Sequence, residues 1–270
     1  MSARTTVISH FYNEEYLLPW WLTHHVPLFD DGILIDYRST DRSREIISRL
    51  APHWTVIPSQ NIEFSARAVD DEVMQIEQAV SGWTMALNTT EFLLGDFRTF
   101  LSSERASGIG FRIPAQTMVD KRPSRRPSEA RSLVSQKPWG VSGAVWRKHV
   151  ERAPRTSELD LNSPYDPTGR ARLLHRADNG QYWLGRHGWD VEPTPEVTEL
   201  RVGWFSLSPW TAETRARKVH VKDKIPEADR AAGYGFQHFA KIEQMDTLRD
   251  YWALIASKPV GVANLSRSHR

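Results

Sequence analysis

The sequence predicts an α/β protein: a mostly parallel sheet flanked by helices, followed by a less regular second half. Three observations carry this. Short apolar runs suited to buried strands alternate with segments of helical periodicity over the first ninety residues. Each run ends in a polar turn, and in such sheets ligands sit beyond the carboxyl ends of the strands. With 270 residues and 40% hydrophobic content the chain has enough apolar mass for one core. It is therefore read as a single domain over 1–270, with a binding half at 1–105 and a second half at 106–270.

The elements follow in order. Val7–His10 reads as a buried strand, closed by the polar turn Asn13-Glu14-Glu15. From Tyr16 to His25, the residues Leu17, Trp20, Trp21 and Leu22 recur at helical offsets. Gly32–Asp36 is a second strand ending in an acid, and Ser39-Thr40-Asp41 has the composition of a helix N-cap. Ile46, Ile47 and Leu50 form the apolar stripe of that helix, and Trp54–Ile57 is a third strand. Ser65–Val80 carries Val69, Val73, Ile76 and Val80 on one helical face, and Thr84–Leu87 is a fourth strand.

Beyond Gly108, Phe111–Ile113 and Val141–Trp146 read as strands. The loop between them, Lys121 to Ser128, is rich in Arg, Pro and Ser. It reads either as a solvated connection or as a lid over an acceptor or phosphate. Thr211–Lys224 reads as a basic helix stopped by Pro226, and Leu248–Ala256 as a closing amphipathic helix.

Composition excludes several classes. A net charge of +2 gives no electrostatic case for nucleic acid. The chain has no cysteine, which rules out disulfides and thiolate metal sites and points to a reducing, cytoplasmic setting. The start has no apolar core of a signal peptide and no stretch suits a membrane span, so membrane contact, if any, is peripheral. No Gly-x-Gly-x-x-Gly follows the first strand and no P-loop occurs, which removes the support for a dinucleotide-binding oxidoreductase or a nucleotidyltransferase. Asn88-Thr89-Thr90 spells a glycosylation sequon, read as accidental in such a setting. The 11 Trp are core filler in the main, though indole faces also suit the apolar faces of sugars.

Three segments, in order, carry a family resemblance. They are Ile8 to Glu15 followed by Tyr16 to Leu22 and His25; Ile33 to Asp41; and Trp83 followed by Ala86 to Leu93. Together they resemble the glycosyltransferase family 2 superfamily, near its family 92-like branch. The resemblance implies a GT-A-like fold, a nucleotide-sugar donor, and a glycan or other hydroxyl-bearing acceptor. It places Asn13, Glu15 and Asp36 near the base and ribose, and Arg67 near the diphosphate. Weaker likenesses continue through Gly185-Arg186-His187 and Ser206 to Lys218.

One departure is sharp. Where the family has Asp-x-Asp-Glu, this chain has Asn88-Thr89-Thr90-Glu91. Hard divalent cations want anionic oxygens, so Mg²⁺ or Mn²⁺ is expected to bind weakly or not at all. Something else must then balance the leaving diphosphate, and Lys218 and Lys222 share a helical face with Arg215, with Arg217 and Lys224 nearby. His175 and His187 are the late histidines open to chemistry, and His187 joins Asp178 as a catalytic candidate. Asp178 is the base favoured among Glu158, Asp160, Asp166 and Asp178, from its place relative to the family spacing. The other class open to this sequence is a nucleotide- or glycan-binding protein on a degenerate GT-A fold, without transfer.

Overall fold

The computed structural model describes residues 4–152, 166–176, 180–235, 238–239 and 241–257. Four parallel strands open the fold: β1 (Thr5–Phe11), β2 (Asp31–Asp36), β3 (Thr55–Pro58) and β4 (Trp83–Ala86), in the spatial order β3-β2-β1-β4. Between them run α1 (Leu18–His25), α2 (Ser43–Leu50) and α3 (Ala66–Glu77). The central strands β1 and β4 are buried on both faces, as crossover connections require, while β3 at the edge is partly exposed. Val7, Leu34 and Met85 enter the core under α1 and α2, while their neighbours Ile8, Ile35 and Ala86 join Val69, Val73 and Met74 of α3 on the other side. Gly32 lies flat against the Trp54 indole, leaving no room for a side chain.

The sheet continues through β5 (Glu91–Leu94), β6 (Gly110–Val119), β7 (Gly140–Ser142), β8 (Ala171–His175) and β9 (Arg201–Leu207). Its full order is β3-β2-β1-β4-β8-β6-β9-β5, with β7 on β6. β4–β8, β8–β6 and β9–β5 are antiparallel and β6–β9 is parallel. One sheet thus runs through both halves of the sequence. The remaining helices are α4 (Phe97–Ser102), α5 (Leu133–Gln136), α6 (Gly143–Arg152), α7 (Ala212–His220), α8 (Glu227–Ala231) and α9 (Ile242–Ile255). α9 closes a separate apolar cluster, where Trp252 stacks on Trp146 at 4.6 Å.

Four expectations change. Val141–Trp146 is a strand only to Ser142, whose Oγ then accepts from Val145 N at 3.3 Å and starts α6. The basic helix ends at His220, and Lys222–Lys224 form a separate 3-10 turn. The closing helix begins six residues earlier than expected, at Ile242. The start of α2 is held by Asp41, whose carboxylate accepts from Ser43 N at 3.0 Å, while Ser39 bonds elsewhere. Among the described residues no helix is long and apolar enough to cross a membrane.

Candidate functional site

Two turns at the carboxyl ends of β1 and β2 are locked together. Asn13 sits in the left-handed region at φ 52°, which Asn tolerates because its short amide bonds locally. Its Oδ1 accepts from Thr40 N at 2.8 Å, and its own N–H donates to Ser39 Oγ at 3.0 Å. Glu15 accepts from Arg42 N and Nε at 3.1 Å each. Asp36 is buried. One of its carboxylate oxygens accepts from Ser39 N at 2.8 Å and the other pairs with Arg44 at 3.0 Å. Asn13, Glu15 and Asp36 therefore all act on the turns themselves.

The turn after β4 is held from α1. Trp21 Nε1 donates to the carbonyls of Glu91 at 2.9 Å and Asn88 at 3.1 Å. His25 donates from Nδ1 to Trp21 O at 2.8 Å and accepts from Leu93 N at 3.2 Å. The Trp and His of the first sequence segment are thus the scaffold of the third. Burial pushes the His25 imidazole well below its ordinary range, consistent with the neutral ring these two bonds need.

Behind this turn lie two buried ion pairs and a third that is partly buried. Arg172 donates to both oxygens of Glu91, each at 2.7 Å, with side chains 3% and 4% exposed. Arg186 pairs with Asp70 at 2.7 Å and donates to Asn88 Oδ1 at 2.9 Å. Arg217 grips both oxygens of the buried Glu14 and reaches Thr89 Oγ1 at 3.3 Å. Bidentate guanidinium–carboxylate pairs of this kind are strong and geometrically specific.

A pocket of about 200 Å³ opens in front of them, beyond the ends of β1 and β4. Asn88 and Thr90 line it from the β4 side, and Arg217 and Lys218 from α7. Arg170 lies over the Trp204 ring at 3.7 Å, and both face the pocket with Tyr12 and Phe64. Burial pushes the Lys218 ammonium well below its ordinary value; Arg217 and Arg170 add to this, and Glu14 opposes it. Burial likewise holds His10 well below the imidazole range, reinforced by Arg186, Arg172 and Arg217. The pocket thus combines aromatic faces with a surplus of positive charge.

A divalent metal at the positions the resemblance implies does not fit these residues. Glu91 has both oxygens in the Arg172 pair, and Oε2 also accepts from Asn88 N at 2.7 Å. Asn88 presents its oxygen to Arg186, and Thr90 is neutral. Among the described residues no group of three His, Asp or Glu could hold a metal ion.

The other sequence candidates are dispersed. Arg67 donates to Tyr182 O at 3.3 Å and is exposed. Lys222 is exposed in the 3-10 turn, and Arg215 pairs with Asp246 on α9 at 3.2 Å. His175 is buried against Thr84, Tyr182 and Glu77. His187 donates from Nδ1 to Ala171 O at 3.1 Å, and its Nε2 faces Arg170 at 3.4 Å. Burial, with Arg172 and Arg170, depresses it to about 2, so it stays neutral. Asp166 accepts from Thr168 N at 2.6 Å, while Glu158, Asp160 and Asp178 lie outside the described residues. Arg170, Arg172, Trp204 and the pairing of Arg217 were not found by sequence reasoning. The late likenesses at Gly185-Arg186-His187 and Ser206 to Lys218 pointed into this region, and Lys218 lines the pocket.

No protein-family model and no curated protein matches the chain. Among solved structures it is similar to S. aureus TarS, at 11% identity over 46% of this chain and 23% of that one, with a TM-score of 0.32. It is similar to TarS 1–349 in complex with UDP, at 11% identity and a TM-score of 0.33, over 64% of this chain and 46% of that one. It is also similar to glucosyl-3-phosphoglycerate synthase from Mycobacterium tuberculosis in complex with Mn²⁺ and UDP-glucose. That match has 15% identity and a TM-score of 0.31, over 64% of this chain and 56% of the other. The chain thus spans from about a quarter to somewhat over half of the chains it matches.

Proposed function

We propose that this chain is a glycosyltransferase that moves a sugar from a nucleotide-sugar to a hydroxyl acceptor and balances the leaving diphosphate with fixed cations. One observation carries the reading. The acidic motif position is sealed, with Glu91 closed by Arg172, while Arg170, Arg217 and Lys218 face the pocket in front of it. Preorganised cations in a water-poor site stabilise charge that develops on a leaving group. Tyr12, Phe64 and Trp204 offer flat faces to a base or sugar ring. Asn13, Glu15 and Asp36 serve the site indirectly, by fixing the turns that frame it. His187, whose lowered pKa makes it a weak base, orients Arg170 rather than taking a proton from the acceptor, and Asp178 stays the candidate base.

A second reading, nucleotide binding without transfer, is favoured by one fact. Glu14, the carboxylate lining the pocket, is held by Arg217 and is not free to act as a base. Calorimetric titration with nucleoside diphosphates, run with EDTA or with Mn²⁺, tests the common part. We expect unchanged affinity in EDTA, and a loss of about tenfold or more in Arg170→Gln. Nucleotide release from a panel of nucleotide-sugars then separates the readings, because a pure binder releases none. Activity abolished by EDTA and restored by Mn²⁺ would overturn the fixed-cation reading.

A further inference from the structure

The loop from Asp120 to Trp139 builds a second cationic site. It is anchored at several points. Trp20 Nε1 of α1 donates to Ser128 O at 3.1 Å, and the Gln136 side chain spans the loop, accepting from Ser128 N at 2.8 Å and donating to Ser128 O at 2.9 Å. The buried Lys137 donates to Asp120 at 2.7 Å and to Arg122 O at 2.9 Å, and Asp120 also accepts from Arg122 N and Trp210 N. Pro127, Leu133 and Val134 are buried beneath it. The segment singled out in the sequence as a basic, Pro- and Ser-rich loop is therefore a built platform.

This platform holds two adjoining cavities of about 240 and 420 Å³, sharing Arg125, Ser135, Gln136 and Lys137 as lining. Arg122 lines the first, and Arg126 and Arg131 the second. Two nearby acids are spent, and a third, the exposed Glu129 of the loop, acts electrostatically on Arg42. Asp120 is consumed by Lys137, and Glu213 of α7 by Arg126 at 2.8 Å. Among the described residues no carboxylate pairs with Arg122, Arg125 or Arg131. Holding guanidinium groups together around a concave surface costs free energy by like-charge repulsion, and a bound polyanion reverses the sign of that term. Guanidinium forks also match the oxygens of a phosphate in pairs.

We infer that the adjoining cavities that share Arg125, with Arg122 in one and Arg131 in the other, form a binding site for a phosphate group, distinct from the nucleotide pocket. α7 lines the nucleotide pocket and touches the loop through the Glu213–Arg126 pair. Glu213, which orients Arg126, lies one helical turn, about 6 Å, from Arg217. A phosphate-bearing acceptor seated at the loop would thus lie next to the donor pocket. Assigning the site to the acceptor rests on the transferase reading; phosphate binding at the loop does not.

The test uses the full chain, with inorganic phosphate as probe, in NMR or calorimetric titration. Saturable binding is expected, weakened about tenfold or more in Arg122→Gln/Arg125→Gln and retained in Arg122→Lys/Arg125→Lys. Arg170→Gln should weaken binding of UDP and leave the loop site unchanged, so the two sites fail separately. Flotation with phosphatidylcholine vesicles, with and without phosphatidylglycerol, separates a lipid phosphate from a soluble one. Arginine-dependent flotation only with the anionic lipid supports the same site with a lipid source. Phosphate and vesicle binding both absent, or both unchanged in the Gln variant with its melting temperature intact, would overturn the inference.

Discussion

Replacing Arg172 by methionine probes the feature that separates this site from a metal-dependent one. The guanidinium and the Glu91 carboxylate are 3% and 4% exposed and meet through two contacts of 2.7 Å. Burial alone would lower the Arg172 pKa, but the Glu91 charge outweighs it and the value is raised. Removing one partner of a buried pair leaves the other charge unsolvated and costs about 3–5 kcal/mol. We expect Arg172→Met to lower the unfolding free energy by that amount in urea titrations. The double variant Arg172→Met/Glu91→Leu should recover most of the loss, since neither charge then remains buried alone. Recovery will stop about 1–2 kcal/mol short, because the carbonyls of Gly185 and Arg186 also lose their donor. A single-variant loss below about 1 kcal/mol, or a double variant no better than the single, would refute the claim that Arg172 neutralises Glu91.

Three further predictions rest on other parts of the structure. Lys218 is pushed below its ordinary value by burial, and a bound diphosphate favours its charged form, so nucleotide binding should take up protons and weaken as pH rises. Calorimetry in buffers of differing ionisation enthalpy reads the uptake; none in the wild type, or uptake unchanged in Lys218→Met, would contradict this. His187 falls from the ordinary 6.5 to about 2, so below pH 6.5 the unfolded chain binds a proton that the folded chain refuses. Stability is then complete above that pH and declines as pH falls toward 2, by at most about 1.4 kcal/mol per pH unit for this residue, and His187→Gln should flatten the decline in urea midpoints. A Cβ at Gly32 would lie 2.2 Å from the Trp54 ring, so Gly32→Ala should destabilise by about 1–3 kcal/mol, and an unshifted urea midpoint would show that the indole moves aside without cost.

The sequence by itself determined the parallel half of the fold and pointed to a candidate site at the carboxyl ends of its strands. β1 to β4 and the helices between them were legible because periodicity, caps and turns are local signals within a dozen residues. The neutral residues Asn88 and Thr90 at the acidic motif were equally legible, since the loss of charge is written in the residue types. What Glu91, Glu14 and Asp70 do was not legible. Their partners Arg172, Arg217 and Arg186 lie 81, 203 and 116 residues away, and no local pattern links such pairs. Asp36, Asn13 and Glu15 read as ligand-facing from their positions at strand ends, yet the backbone N–H groups of Ser39, Thr40 and Arg42 in the adjoining turn claim their oxygens. Strands β5, β8 and β9 escaped for the same reason. β8 carries Arg172 and His175 among its apolar residues, and its burial is decided by β4 and β6 on either side rather than by its own composition. Only tertiary pairing decided which of the arginines neutralise acids and which are left to meet a ligand, because that depends on which side chains share one buried volume.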